Sequence, residues 1–239
     1  MQLSRLLPLA VLLPSLHLSG AVVEGERGGS QTVTATLTLG DASKTFTHSN
    51  LNEAGDDVFF ANTVLLEDLT ARNDISGIVD VELGMGSNLF RTTDGLTGLD
   101  FVQLVGYAIS RVEMSGSGTS LDGEELEGTF SSESPGNEGW NEFSVTVGPE
   151  VVTMTAVLKS EEDDGSQAEV LVQNRDGTDW VDVAVYPSVS RYSSYRENLL
   201  LEPGDYRILI SVPTSGSFGP DSSISILEEI EYEMTMGPD

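Results

Sequence analysis

Three observations predict an all-β protein, an antiparallel β-sandwich or jelly roll with little helix. Apolar residues recur with a period of two in many short runs. Turn signals such as Asp164-Gly165, Asp176-Gly177, Pro203-Gly204 and Ser215-Gly216 separate those runs. The cleanest run, Ser223–Met236, carries no continuous apolar stripe at spacings of three and four.

The chain starts with a segment expected to lie outside the fold. Arg5 gives Met1–Ala21 a positive start. Leu6–Leu13, with Leu16 and Leu18, forms an apolar run broken by Pro8 and Pro14, and Ser19-Gly20-Ala21 supplies small residues before a cut. This pattern reads as a secretory signal peptide, so a secreted, extracellular protein without a membrane anchor in its mature form is expected.

The first strand is predicted at Gln31–Leu39. Val33, Ala35, Leu37 and Leu39 share one face, and Thr32, Thr34, Thr36 and Thr38 share the other. Asp56–Arg72 is the one region compatible with short helical turns, through Val58, Phe59, Leu65, Leu66 and Leu69. Further strands are predicted at Gly77–Leu83, Phe101–Met114, Leu126–Phe130, Trp140–Val147, Val151–Leu158 and Ala168–Val172. Others follow at Trp180–Tyr186, Leu199–Leu201, Tyr206–Val212 and Ser223–Met236. In the last, Ile224, Ile226, Ile230, Tyr232, Met234 and Met236 share one face, and Glu229, Glu231 and Glu233 share the other.

Residues 116–139 are rich in Ser, Gly and Glu and read as a linker or long surface loop. They would divide an N-terminal β region, 30–115, from a C-terminal β-sandwich, 140–236, giving one or two sandwich units.

Charge excludes more than it assigns. The chain holds 39 Asp plus Glu against 11 Lys plus Arg, a formal net charge of −28, and a sequence pI near 4.1. The acid is spread over the whole chain, which disfavours nucleic acid and anionic membranes as partners. Two causes compete. One is adaptation to salt, which screens self-repulsion; the other is cation binding at clustered carboxylates. With no cysteine, thiol catalysis and zinc–thiolate sites are excluded. A Ser–His–Asp triad in the mature chain has only His48, in a turn-like segment, and no Gly-x-Ser-x-Gly elbow accompanies it. Dinucleotide and P-loop signatures are also missing.

Two groups remain as candidate sites. Asn174, Asp176 and Asp179 put oxygen ligands around Gly177, a spacing that suits calcium although the downstream Glu of a full EF-hand loop is missing. Trp180, Tyr186, Tyr192 and Tyr195, with Arg191 and Arg196, form the one stretch where aromatics and cations interleave. Such residues suit a glycan or an extracellular protein partner.

The C-terminal half carries a resemblance. Phe143-Ser-Val-Thr-Val-Gly, Val151-Val-Thr-Met-Thr-Ala-Val-Leu and Gln167-Ala-Glu-Val-Leu-Val-Gln-Asn-Arg-Asp-Gly are followed by Leu199-Leu-Leu-Glu-Pro-Gly-Asp-Tyr-Arg-Ile-Leu-Ile-Ser-Val. This order resembles the bacterial pre-peptidase C-terminal domain, a jelly-roll sandwich appended to secreted enzymes. Pro203, Gly204, Tyr206, Ile208 and Ile210 match its closing hairpin. Glu169-Val170-Leu171-Val172 stands where that family has Asp-Leu-x-Leu. The resemblance implies an accessory module with no catalytic residue. As a plain folding device, Pro203-Gly204 is expected to make a type II turn with Gly204 at positive φ.

The expectation is therefore an exported, acidic, non-enzymatic structural or binding module, with calcium as a candidate stabiliser. Carbohydrate binding is the alternative, and a carboxylate-pair glycoside hydrolase stands behind both. A sugar binder should show two or three aromatics on one exposed face. An enzyme should show a cleft with two facing carboxylates. A structural module should show neither.

Overall fold

A computed structural model describes residues 22–39, 41–52, 63–71, 75–93, 100–117, 123, 125–132, 137–146, 148–160 and 168–237. The expected signal segment lies outside them. All regular structure among the described residues is strand, arranged as two antiparallel sheets packed as a sandwich. No helix there is long and apolar enough to cross a membrane.

Fourteen strands follow in chain order: β1 Val22–Leu39, β2 Ala42–Asn52, β3 Thr63–Ala71, β4 Ile75–Thr93, β5 Asp100–Ser117, β6 Leu126–Ser132 and β7 Glu138–Val145. Then come β8 Glu150–Ser160, β9 Glu169–Asp176, β10 Asp179–Pro187, β11 Tyr192–Leu201, β12 Gly204–Ser211, β13 Ser215–Phe218 and β14 Ser223–Met236. The first sheet runs β10-β9-β12-β7-β1-β6-β13, with β2 also on β1. The second runs β11-β8-β14-β5-β4-β3.

The long strand β1 organises the first sheet. Its residues Val22–Ser30 pair with β7, and Val33–Leu39 pair with β6. Strands β6 and β7 therefore lie end to end along β1, and the chain between them breaks the ladder. Asn137, at φ 63°, repairs that break. Its Oδ1 accepts from the Thr32 amide at 2.7 Å, and its Nδ2 donates to the Val212 carbonyl at 3.2 Å. Asparagine tolerates the left-handed region better than most residues. Residues 116–139, expected as a linker, thus hold β6 and the start of β7. Strands from both sides of this segment share both sheets, since β1 pairs with β7 and β5 pairs with β14. Strand β6 alternates buried and exposed positions. In β6, Gly128 lies where a Cβ would strike the Phe218 ring.

The helical expectation at Asp56–Arg72 is corrected where it can be seen. Thr63–Ala71 is strand β3, paired with β4 along its whole length. The short apolar run there suits either state, and β4 supplies a continuous partner edge that favours a strand. His48 lies in strand β2, paired with Val33, rather than in a turn. The remainder of the predicted set is found as strands. Ser223–Met236 is β14 end to end, and its Ile226, Ile230 and Met234 are fully buried. Each such side chain contributes roughly 1.5–3 kcal/mol on burial.

The interior has two apolar clusters. They change over at the same level on several strands. On β5, Ala108 belongs to one and Val112 to the other, with buried Ser110 between; on β14, Ile230 and Ile226 flank buried Glu228. Gln31 and Thr214 complete this buried polar belt. Gln31 Nε2 donates to the Ile109 carbonyl at 2.9 Å, and the Ser110 and Thr214 hydroxyls bond at 3.1 Å. These bonds pair part of the belt, while Gln31 Oε1 stays buried without a hydrogen-bond partner among the described residues.

Candidate functional site

A groove of about 430 Å³ lies on the outer face of the second sheet. It crosses four adjacent strands, β4, β5, β14 and β8, above the first core cluster. Three inter-strand gaps give a span of roughly 14 Å. The volume falls in the range of ordinary small-ligand sites, roughly 300–1,000 Å³.

Period two builds the groove. On β5, Leu104 and Ala108 point inward, which turns Val105 and Tyr107 outward; on β14, inward Ile230 and Met234 turn Glu231 and Glu233 outward. Strand β8 contributes Thr155 and Val157, and β4 contributes Asn88 and Phe90. The depression comes from glycine. Gly86 pairs with Tyr107, and a Cβ on Gly86 would lie 2.7 Å from the Tyr107 ring, so the ring lies across the glycine. Gly106 plays the reciprocal role on the inner face, under the Tyr232 ring. Burial pushes the Tyr232 phenol well above its ordinary value, so it stays neutral.

Apolar walls and a few acceptors make up the surface. Phe90 is 47% exposed at the rim. Gln103 Nε2 donates to Glu233 Oε1 at 2.9 Å and fixes that carboxylate. Glu231 and Glu233 sit two residues apart on one strand, so they share one wall and do not face each other. That arrangement can hold hydroxyl or amine donors. It cannot place an acid and a base on opposite sides of a bond.

The predicted aromatic group is divided by the fold. Trp180, on β10, faces outward from the first sheet, where the Arg207 guanidinium lies over its indole at 4.6 Å and Arg175 at 5.8 Å. Tyr186 is only 2% exposed, and Tyr195 packs against it with ring centroids 5.5 Å apart. The Tyr195 hydroxyl donates to the Pro187 carbonyl at 2.6 Å. Tyr186 is thus buried and Tyr195 half-buried against it. The chain crosses from the first sheet to the second between β10 and β11, and the two rings close the opening. Tyr192, 61% exposed, is the one member fully open to solvent.

The predicted calcium ligands surround a tight hairpin. Asp176 pairs with Asp179 across Gly177-Thr178, with Gly177 at φ +65°, as a two-residue hairpin with glycine in first position requires. Asn174 Nδ2 donates to the Asp205 carbonyl at 3.2 Å, and the Thr178 hydroxyl donates to Asp179 Oδ1 at 3.3 Å. Among the described residues no group of three or more His, Cys, Asp or Glu side chains is placed to hold a metal.

Beside Trp180, Asp182, Gln173, Arg207 and Glu142 stand in register across β10, β9, β12 and β7. Gln173 donates to Asp182 at 2.7 Å and accepts from Arg207 Nε at 2.6 Å. Burial, then the Glu26 charge, raises the Glu142 carboxyl above its ordinary value. Burial lowers Arg207.

The closing hairpin is a folding device. Gly204 opens β12 and is not among the positive-φ residues, so the expected type II geometry is corrected. The corner is instead held by the Tyr206 hydroxyl, which donates to the Glu202 carbonyl at 2.7 Å. The Tyr206 ring stacks on Phe143 at 5.6 Å.

The groove residues carry no contiguous motif in the sequence, since four separate strands contribute them. The signal present was glycine inside strand runs, at Gly86 and Gly106, a mark of close approach over the backbone. No family model and no curated protein matches the chain. One solved structure it aligns with is described as "Structural basis for the promiscuous specificity of the carbohydrate-binding modules from the beta-sandwich super family". It is 10% identical, the alignment covers 88% of this chain and 96% of that one, and the TM-score is 0.17. At that score the likeness carries no argument about function.

Proposed function

We propose that this chain is an exported, non-catalytic carbohydrate-binding β-sandwich that holds a short oligosaccharide in the groove across β4, β5, β14 and β8. The observation that carries the reading is the groove itself, with the Tyr107 and Phe90 rings and the acceptors Asn88, Thr155, Glu231 and Glu233 around one depression. Sugar rings present apolar C–H faces and a rim of hydroxyl donors, and this lining offers a counterpart to each. A plain structural module needs no such cavity. A hydrolase would need opposed carboxylates, and Glu231 and Glu233 share a wall.

Isothermal titration of the mature protein against a panel of soluble oligosaccharides tests the reading. Binding is expected for at least one sugar, lost in Tyr107→Ala while the melting temperature is kept. A panel without binding, or binding that Tyr107→Ala leaves intact, would sink it.

A further inference from the structure

Resting on that glycan reading, we propose that the groove selects an amino-sugar chain, with protonated amines received by Glu231 and, beside it, Glu233. Among the described residues, no Lys, Arg or His lines the groove. Its two charged side chains are both carboxylates, which accept hydrogen bonds and cannot donate them. A ligand must therefore bring the donors.

The local pairing singles out Glu231. On the same face of β14, Glu229 is occupied by Lys159, whose Nζ donates to its two oxygens at 2.9 and 3.0 Å. The Glu229 hydrogen bond is the largest cause of the raised Lys159 pKa, and Glu231 acts on Lys159 only as a more distant charge. Glu233 has a neutral partner, the Gln103 amide. Glu231, exposed, makes no ion pair or hydrogen bond among the described residues. The groove thus presents one carboxylate with no hydrogen bond or ion pair among the described residues and one bonded only to an amide, about two residues' rise apart, roughly 7 Å.

An ammonium brings three donors and a charge, so its bonds to carboxylates are charge-assisted and stronger than those of a neutral hydroxyl. Apolar Val105, Val157 and the Tyr107 ring lower the local polarity around that contact. The field of a chain with net charge −28 has the same sense: it draws cationic chains in and repels uronate or sulfated ones.

The experiment is isothermal titration in mildly acidic, low-salt buffer with oligomers of equal length. The probes are glucosamine, N-acetylglucosamine, galacturonate and, as a non-sugar cation, oligolysine. Wild type is expected to bind the glucosamine oligomer about tenfold more tightly than the N-acetylated one, and galacturonate and oligolysine weakly. Glu231→Gln should erase the glucosamine advantage, and Glu127→Gln, an exposed acid on β6 far from the groove, should keep it.

Equal affinity for the two glucosamine forms, with Glu231→Gln changing neither, overturns the amine selection and leaves glycan binding standing. Equal losses in Glu231→Gln and Glu127→Gln overturn it in favour of the general field. Oligolysine binding as tightly as the sugar overturns it in favour of a basic peptide. No binding of any oligosaccharide overturns the glycan reading with it.

Discussion

The outer faces of the two sheets lie over the same core cluster and carry the same kinds of side chain, yet only one of them is open. On the first sheet the aromatic ring, amide and charges satisfy one another. Arg207 covers the Trp180 indole, and Gln173 joins Asp182 to Arg207. On the second sheet the Tyr107 ring lies over a glycine, and Glu231 is exposed while the nearby Lys159 donates to Glu229. A ligand must break existing bonds to use the first face, whereas on the second Glu231 is exposed and only Glu233 is held, by the Gln103 amide. An aromatic residue is thus a poor guide to a site until its own contacts are known.

The comparison breaks most cleanly by exchanging the aromatic on each face. Tyr107→Ala is expected to weaken oligosaccharide binding by about 30-fold or more, the scale of a truncated aromatic hot spot. Trp180→Ala should leave affinity within about twofold. Titration of both variants with the best-bound oligosaccharide decides it. The reverse ranking would move the site to the first sheet.

Stability should rank the faces the other way. Gln173 is only 7% exposed and holds two charged partners. Gln173→Leu leaves both with fewer bonds in a partly buried setting and should cost about 1–3 kcal/mol, read from urea unfolding. Asn88→Ala, in the open groove, should stay within about 0.5 kcal/mol.

A finer probe of the open face is Gly86→Ala. The added Cβ would meet the Tyr107 ring at 2.7 Å, so the ring must move off its glycine. Affinity should fall several-fold with little change in melting temperature. Unchanged affinity would show that the ring's position over Gly86 is not what the ligand uses.

The strands were legible wherever one face is buried. The alternation of Val33, Ala35 and Leu37 against threonines follows from one side packing on the core, and the same holds for β14. Strand β2 was missed because its run is polar. Its contact with β1 is partly a ladder of hydroxyls, Thr34 with Thr47 and Thr36 with Thr45, which leaves no apolar period to read. Strand β13 was hidden because Ser215-Gly216 carries a turn signature; Gly216 is there because a Cβ would strike Phe130 and Ile224. The groove was illegible for another reason. Its walls come from residues as far apart as Asn88 and Glu233, and sequence spacing shows neighbours along a strand but not across four of them.

The smallest predicted effect tests whether the first face is closed in water as well as in geometry. Burial, followed by the Glu26 charge, raises the Glu142 carboxyl above its ordinary value of 4.5. The folded protein therefore holds that proton more tightly than the unfolded chain does. Its contribution to stability is fully present below the unfolded value and is lost as pH rises through the raised folded value. Glu169, raised first by burial and then by Asp182 and Glu138, has the same sign. Melting temperature should thus fall between about pH 4.5 and neutrality, and Glu142→Gln should flatten part of that fall. General self-repulsion in so acidic a chain gives a fall of the same sign, so the comparison belongs in molar salt, where that contribution is screened within about 3 Å. If wild type and Glu142→Gln run parallel there, Glu142 is solvated, and the register of four side chains beside Trp180 is as open to a ligand as the groove.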